Sequence, residues 1–528
     1  MRNALLGLLA ISLFSPAWAQ EPASAEVEAG VEAPAVPTVT SSDPAVVIAQ
    51  APSAAELPAL LAQLPTMPVF SRSTISLDVV HAKTGERVYA WGDDRLLIPA
   101  STMKLITSAV ALRELGPAWR FPTWIKYDGE LGTDGVLAGN LYIVGQGDPT
   151  MSVERMWRMA ADIRLRGITE VKGDVVYDDT YTAQSAPWIP GWDKPEDLES
   201  GETYYSALGA LSVNENIATI HVRPGASVGA AAVATFDTPS DVVVLDNQLT
   251  TGRARSKYWV KIERTFDEDT GKIATYKLTG NVPSDLDVTT RPLYRTLGDP
   301  TGNYVSVFRD SLRAQGVKVK GKHRVAAAST ESKLLVKVES DRLEDILTEM
   351  NKRSNNFIAE QVLRALAAEK GGLPGTTEGG VKVLADYMAS LGVPADRYKF
   401  VNGSGLSRGA LLSPSALDAV LVDMQRNVDV GPEFRTTLAV GGRDGTLWSR
   451  FREDGMEGRV RAKTGSLAGV VGLAGYVTAA DGTEYAFSFF VNELDGSTAR
   501  ARAAHDHLVR SLAGVTGTIA EAGDGGGD

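Results

Sequence analysis

The sequence predicts an α/β domain, of the α+β kind, interrupted by a long β-rich insertion. Three observations carry that expectation. Helical and antiparallel-strand patterns occupy both ends of the chain, short strand-like runs fill the middle, and 528 residues are too many for one ordinary core. Apolar residues make up 44% and charged residues 22%, the balance of a globular chain rather than a disordered one.

The N-terminus reads MRNALLGLLAISLFSPAWAQ. One arginine precedes a short apolar run from Ala4 to Phe14, a proline, and then Ala17-Trp18-Ala19. That is a signal peptide over 1–19 with an A-x-A cleavage site, its apolar run too short to span a bilayer. A lipid anchor would need a cysteine at the cleavage site, and the chain has none. The expectation is an exported, soluble, periplasmic protein with no stable membrane anchor. Residues 20–55, rich in Ala, Pro, Val, Glu and Ser without a period, read as a disordered leader. The Gly/Asp-rich end, 516–528, reads as a disordered tail.

The folded part opens with Ser73–His81, whose polar/apolar alternation predicts a strand. A Lys83-Thr84-Gly85-Glu86 turn leads to a second strand, Arg87–Trp91. Ala100–Leu115 then follows a helical pattern that Gly116-Pro117 ends. From about 120 to 330, runs such as VLAGNLYIVG, DVVYDD, ATIHV, DVVVLDN and YWVKIERTF alternate with Gly/Pro/Asp turns, predicting one or two β-rich modules. Beyond Asp341 the spacing predicts helices over Arg342–Arg353, Asn355–Lys370 and Glu378–Leu391, a strand at Tyr398–Val401 and a helix from Ser413. Strands near 459–463, 468–478 and 484–492 and a helix over Ser497–Leu512 close the fold.

Composition removes several function classes. A net charge of −12 without a Lys/Arg block argues against tracking of nucleic-acid phosphates. Zero cysteine excludes disulfides, thiol catalysis and Cys-type metal sites. Five histidines and no H-E-x-x-H give metal catalysis little support, so the expectation is no metal and no cofactor.

Ser101-Thr102-Met103-Lys104 is the chain's one Ser-x-x-Lys. Residues three apart on a helix share a face, so the Lys104 amine can reach the Ser101 oxygen. A serine hydroxyl needs a base to become a nucleophile, and a desolvated lysine of lowered pKa can serve. Ser354-Asn355-Asn356 opens another predicted helix, placing a hydroxyl and an amide two residues apart. Ser354 can relay a proton to a leaving amine, and Asn356 can hold a substrate carbonyl. Lys463-Thr464-Gly465-Ser466 lies on a strand: Lys463 and Thr464 can meet a carboxylate, and Gly465 leaves room for close approach. Ser212-Val213-Asn214 and Lys83-Thr84-Gly85 repeat two of these spacings, the first inside the insertion and the second in a hairpin turn.

Ser-x-x-Lys, Ser-x-Asn and Lys-Thr-Gly in this order form the serine-acyl-transferase set of penicillin-binding proteins and serine β-lactamases. The chain resembles the D-alanyl-D-alanine carboxypeptidase/endopeptidase family, the class C low-molecular-mass penicillin-binding proteins of the penicillin-binding protein 4 type. The matching segments include IPASTMKLITSAVALRELGPAWRF, LYIVGQGDPT, YYSALGALSVNEN, RSNNFIAEQVL, NGSGLSR, GGRDGTL and RAKTGSL. The resemblance implies a β-lactamase-like, penicillin-recognising serine transferase domain in two parts, 56–120 and 332–515, split by inserted domains over 121–331. The inner module is expected at about 216–295.

For individual residues the resemblance implies acylation of Ser101, Lys104 as its base, a proton shuttle at Ser354 and peptide binding at Asn356. Lys463 and Thr464 would bind the terminal carboxylate, and the backbone N–H groups of Ser101 and Ser466 would form the oxyanion hole. Ser404, Leu406 and Arg408 would line the cleft, and PWIPGWDKPED in the insertion would reach over it. Asn402 stands where the family pattern has Asp. Implied partners are peptidoglycan stem peptides and their cross-links, with β-lactam antibiotics as covalent inhibitors; a homodimer is also suggested.

Two other readings compete. Gly405-Leu406-Ser407-Arg408-Gly409 fits the G-x-S-x-G elbow of an α/β-hydrolase esterase, with His505 and His507 downstream. Its context fails, because ALLSP separates the serine from the next helix and the two histidines face different directions. The other reading is a catalytically inactive family member that binds wall peptide without turnover.

Overall fold

The computed structural model describes residues 56–183, 203, 206–238, 240–267, 273–287, 292–453 and 455–514. The expected signal peptide, the leader, the tail and the PWIPGWDKPED stretch lie outside them. Among the described residues no helix is long and apolar enough to cross a membrane.

A six-stranded antiparallel sheet organises the functional part. Its strands are β1 (Thr74–His81), β2 (Arg87–Trp91), β3 (Ala439–Val440), β4 (Val460–Leu467), β5 (Val470–Thr478) and β6 (Glu484–Asn492), in the order β2-β1-β6-β5-β4-β3. The first strand of the chain therefore pairs with the last, Leu77 opposite Phe489. The alternation that marks β1 as a strand also sorts its residues. Ile75, Leu77 and Val79 join Phe487, Phe489 and Val491 of β6 in one apolar layer, covered by α5 (Thr498–Ala513). Ser76 and Asp78 point to the opposite face, yet that face is no solvent surface, since both are buried under helices.

Those helices are α1 (Lys104–Leu115), α2 (Leu343–Arg353), α3 (Asn356–Gly371) and α4 (Pro414–Arg426). Met103, Ile106, Val110, Leu347, Met350, Val362, Leu363, Leu417, Leu421 and Phe490 fill the core between them and the sheet. The caps follow the sequence signals. Ser413 accepts from Ala416 N and Ser497 accepts from Arg500 N, each opening a helix one residue later than its expected start. Gly116, at φ +84, ends α1.

The middle of the chain builds separate sheets. Pro122–Tyr127, Leu141–Val144, Val175–Asp178, His323–Val325 and Lys333–Glu339 form one of five strands. Ile217–Arg223, Val233–Phe236 and Leu293–Thr296 form a three-stranded sheet, and Val244–Gly252, Trp259–Phe266 and Ile273–Pro283 form another. Ile220, Val222, Leu249, Tyr276, Leu278 and Val282 share a core between those two.

The expectation of short strands alone for 120–330 misses two helices, Val153–Leu165 and Pro300–Ala314. Each packs one amphipathic face onto the five-stranded sheet, through Met156, Met159 and Ile163 and through Tyr304, Phe308 and Leu312. Lys333–Glu339, on the far side of the expected boundary at 331, pairs with Pro122–Tyr127 and so closes this sheet.

Candidate active site

The serine turn is strained before it is reactive. Ala100 sits at φ +47, an unusual conformation for a non-glycine residue, and is completely buried. Ala100–Met103 then forms a 3₁₀ turn that runs into α1. In that geometry residues i and i+3 eclipse, which places Lys104 directly over Ser101. The Ser101 hydroxyl makes no helix cap, so it stays available to the lysine. Two glycines let this turn close. A Cβ on Gly405, at φ +75, would overlap the Ala100 carbonyl oxygen, and one on Gly465 would lie 2.8 Å from Pro99 O and 3.3 Å from Ser101 N.

Lys104 is wholly buried. Its Nζ lies 2.9 Å from Ser101 Oγ, 2.7 Å from Asn356 Oδ1 and 2.8 Å from the Ser404 carbonyl oxygen. The last two atoms can only accept. A neutral amine has two N–H donors and one lone pair, so both donors are used and the lone pair is left for the Ser101 proton. Burial, then the nearby Lys463 charge, holds the Lys104 pKa well below the ordinary lysine value, against the opposing pull of Glu360. That shift favours the neutral amine, the form able to take up a proton.

The second wall begins at a helix junction. Ser354 ends α2 in the left-handed region, at φ +60, while Asn355 caps α3 by accepting from Ile358 N at 3.0 Å. The expected helix start at Asn355 therefore moves to Asn356. The neighbour does the capping, and the Ser354 hydroxyl stays unspent. It accepts from Lys463 Nζ at 2.9 Å, and that nitrogen also donates to Thr464 O at 2.8 Å. Lys463 is buried on β4, and desolvation lowers its pKa to about 7. Thr464 Oγ1 donates to Thr446 Oγ1 at 2.9 Å, which ties the strand edge to the GGRDGTL turn.

Ser101, Ser354, Thr464, Gly465 and Ser466 line one cleft with Thr446. Lys104, Asn356 and Lys463 lie behind it. Ser404, Leu406 and Arg408 are not among its lining residues. Ser404 is fully buried and touches the site through its carbonyl, while its hydroxyl accepts from Leu406 N at 3.3 Å. Arg408 reaches the β4–β5 turn, donating to Ala468 O at 2.6 Å. Asn402 is buried and accepts from Gly405 N at 3.0 Å, so its oxygen serves the loop as a carboxylate oxygen would.

Sequence reasoning missed two acids. Glu360, fully buried on α3, accepts from Gly403 N at 3.1 Å and Ser404 N at 2.8 Å, fixing the loop whose carbonyl holds Lys104. Its signal is a charged residue on a helix face that is otherwise apolar, in NNFIAEQVL. Glu215 accepts from Asn355 Nδ2 at 2.8 Å, so the insertion's SVNEN segment braces the Ser354 turn. Ser212 itself is buried and accepts from Asn216, away from the cleft.

The elbow reading finds no geometry. Ser407 is 1% exposed and its hydroxyl accepts from Gly409 N at 3.1 Å. His505 is buried on α5 with its ring edge-on to Phe489 at 4.6 Å. No bond joins Ser407 to a histidine among the described residues. Lys83-Thr84-Gly85 is a hairpin turn, with Gly85 at φ +72.

Residues 54–514 match the model of the D-Ala-D-Ala carboxypeptidase 3 (S13) family. The chain is 32% identical over 446 residues to a D-alanyl-D-alanine carboxypeptidase of Actinomadura sp. strain R39, covering 81% of this chain and 79% of that one. It is 27% identical to the D-alanyl-D-alanine carboxypeptidase DacB of Haemophilus influenzae, over 77% and 83% of the two chains. The crystal structure of penicillin binding protein 4 (dacB) from Haemophilus influenzae superposes with a TM-score of 0.73 at 24% identity, covering 86% of this chain and 98% of that chain, and so shares the fold.

Proposed function

The chain belongs to the D-Ala-D-Ala carboxypeptidase 3 (S13) family, and from that premise we propose that its acyl-enzyme forms on Ser101 during cleavage of D-Ala-D-Ala peptide bonds of peptidoglycan. The observation that carries the assignment is the trio of contacts around Lys104. Two acceptors consume its N–H groups and leave the lone pair to Ser101.

Lys104 takes the proton as Ser101 Oγ bonds to the carbonyl carbon of the penultimate D-alanine. The oxygen's developing charge falls to the backbone N–H groups of Ser101 and Ser466. Ser354 accepts a hydrogen bond from Lys463, so its own proton is free for the leaving amine as the C–N bond breaks, and Lys104 returns a proton to the relay. Water then attacks the ester, the C–Oγ bond breaks, and a proton passes back to Ser101 through Lys104. Thr464, backed by Lys463, meets the substrate carboxylate, and Asn356 orients the peptide while fixing the base. Ser404 positions Lys104, and Leu406 and Arg408 border the donor-peptide side across from β4.

The same reading makes the chain an exported periplasmic enzyme with a signal peptide over 1–19, inhibited covalently by β-lactams. It also makes the fold a split catalytic domain, with the inserted domains entering near 121 and Lys333–Glu339 returning the chain. The pairing of β1 with β6 supports that division. A homodimer, checked by sedimentation velocity, completes the expectation.

Intact-mass analysis after benzylpenicillin treatment tests the assignment. One adduct on the peptide containing Ser101, together with release of D-alanine from a stem pentapeptide, is expected. A purified protein that takes no adduct and releases no D-alanine would instead be a wall-peptide binder without turnover.

A further inference from the structure

The cleft is larger and more basic than release of one amino acid requires. It encloses about 890 Å³ and continues from Ser101 and Thr464, past Thr446, to Trp448 and the Arg502 face of α5. On a chain of net charge −12 its lining carries Lys352, Arg353, Arg450 and Arg502 against one acid, Asp506. Part of that charge is internally paired: Lys352 Nζ lies 2.6 Å from Asp444, Arg450 meets Asp506, and Arg353 pairs with Glu349 at 2.7 Å. Arg502 is exposed and has no acidic partner among the described residues.

Trp448 lines the same cleft, 57% exposed. The Arg452 guanidinium lies 4.7 Å from the centre of its ring, and Arg452 Nε donates to Trp448 O at 2.8 Å, so the indole is held while it faces solvent. A fixed, exposed tryptophan in one cleft with an arginine that lacks an acidic partner has no role in a core. It has the character of an interaction site, in which a rigid aromatic supplies contact area and a cation supplies specificity.

We propose that this arm of the cleft is a leaving-group subsite for a carboxylate-bearing peptide. It receives the strand released when Ser101 attacks, with that strand lying over Trp448 and a free carboxylate at Arg502. The proposal rests on the acyl-enzyme reading above and adds to it a preference between substrates. A single departing D-alanine has one carboxylate, which Thr464 and Lys463 already meet, and offers nothing to Arg502. The leaving strand of a cross-link is longer and brings further carboxylates. Binding it selects cleavage between peptides over trimming of their ends.

The test compares three probes: a synthetic cross-linked stem-peptide dimer with free carboxylates on its leaving strand, the same dimer with those carboxylates amidated except the one beside the scissile bond that Thr464 and Lys463 meet, and a monomeric stem pentapeptide. The readout is the ratio of kcat/KM on the dimer to that on the monomer. Arg502→Gln is expected to lower the ratio about fivefold, the worth of one partly exposed ion pair. Amidation should produce the same loss in the wild type and no further loss in the variant. Trp448→Ala should lower the ratio for both dimers. Benzylpenicillin labelling of each variant reports that the acylating site is folded. A ratio within twofold of wild type in Arg502→Gln, or indifference to amidation, overturns the subsite. Failure of the wild type to take penicillin or release D-alanine overturns the underlying reading instead.

Discussion

The two faces of the central sheet are built from the same strands for opposite purposes. Toward α5, the alternate residues Ile75, Leu77, Val79, Phe487, Phe489 and Val491 meet Leu508 and Leu512 in an apolar layer. Toward α1 and α4, the intervening residues include Ser76, Asp78, Ser488 and Lys463, and above them lie the buried Asp418 and Lys104. Burying polar groups costs free energy unless each finds a partner, and burying charges costs more. The polar face also holds Ala100 and Ser354 at positive φ. Both faces contribute apolar burial, but only the helix-covered face also holds a desolvated base and two strained turns. Stability and reactivity are separable here by strand register alone.

The sharpest break of that symmetry is Ser101→Ala. Removing the nucleophile should lower D-alanine release by about 10⁴-fold or more and abolish penicillin labelling, with the melting temperature held or raised. Release rates and thermal unfolding on the same preparation check both halves. Retained labelling would move the nucleophile elsewhere. The converse change is Leu508→Ala on the apolar face. Deleting that fully buried side chain should cost about 3 kcal/mol, read by urea unfolding, while acylation per folded molecule stays near wild type. If activity fell in step, the two faces would not be separable.

This division was only partly legible in the sequence. The 2-residue period of β1 and the caps at Ser413 and Ser497 are local signals, so those elements sit within a residue or two of their expected bounds. The three motifs were visible as spacings because Ser101 and Lys104 depend on one turn, and Lys463 to Ser466 on one strand. What joins them was not visible. Asn356 meets Lys104 across about 250 residues of chain, and the Ser404 carbonyl is a backbone atom that no residue type advertises. Glu360 and Glu215 act through buried contacts of the same kind. The helices Val153–Leu165 and Pro300–Ala314 lay among stronger strand signals, and their apolar stripes have a partner only once the five-stranded sheet exists.

Glu360 sharpens the comparison from within the polar face. It is a positioning residue: it touches no reacting atom but fixes the loop whose carbonyl holds Lys104. Glu360→Gln turns one of its two acceptor atoms into a donor facing a backbone N–H, and acylation by benzylpenicillin should slow about tenfold. The Glu360 charge raises the Lys104 pKa, so its removal should also move the acid limb of the acylation profile to lower pH. A purely structural role would lower the amount of folded protein without moving that limb.

The smallest expected effect tests what the polar face costs. Burial is the main force raising the Asp78 carboxyl to about 6, with Arg87 opposing it and Asp93 adding to the rise. Asp418, buried behind it with one oxygen accepting from Ser488 Oγ at 2.5 Å, is pushed well above the carboxylate range by desolvation and then by Asp78. Both groups hold protons in the folded chain at pH values where the unfolded chain has released them. Their contribution is therefore fully present below about pH 4, the unfolded value, and is lost as pH rises toward 6 and beyond. Asp418→Asn keeps an acceptor for Ser488 and removes the carboxyl whose proton the fold must retain. At pH 7 it should unfold about 3 °C higher than wild type, a gain of about 1 kcal/mol, and at pH 4 the difference should vanish. Melting curves at pH 4, 5.5 and 7 decide it. A variant less stable than wild type at pH 7 would mean that the acid pair holds α4 to β1 more strongly than its burial opposes it, so that the polar face contributes stability of its own.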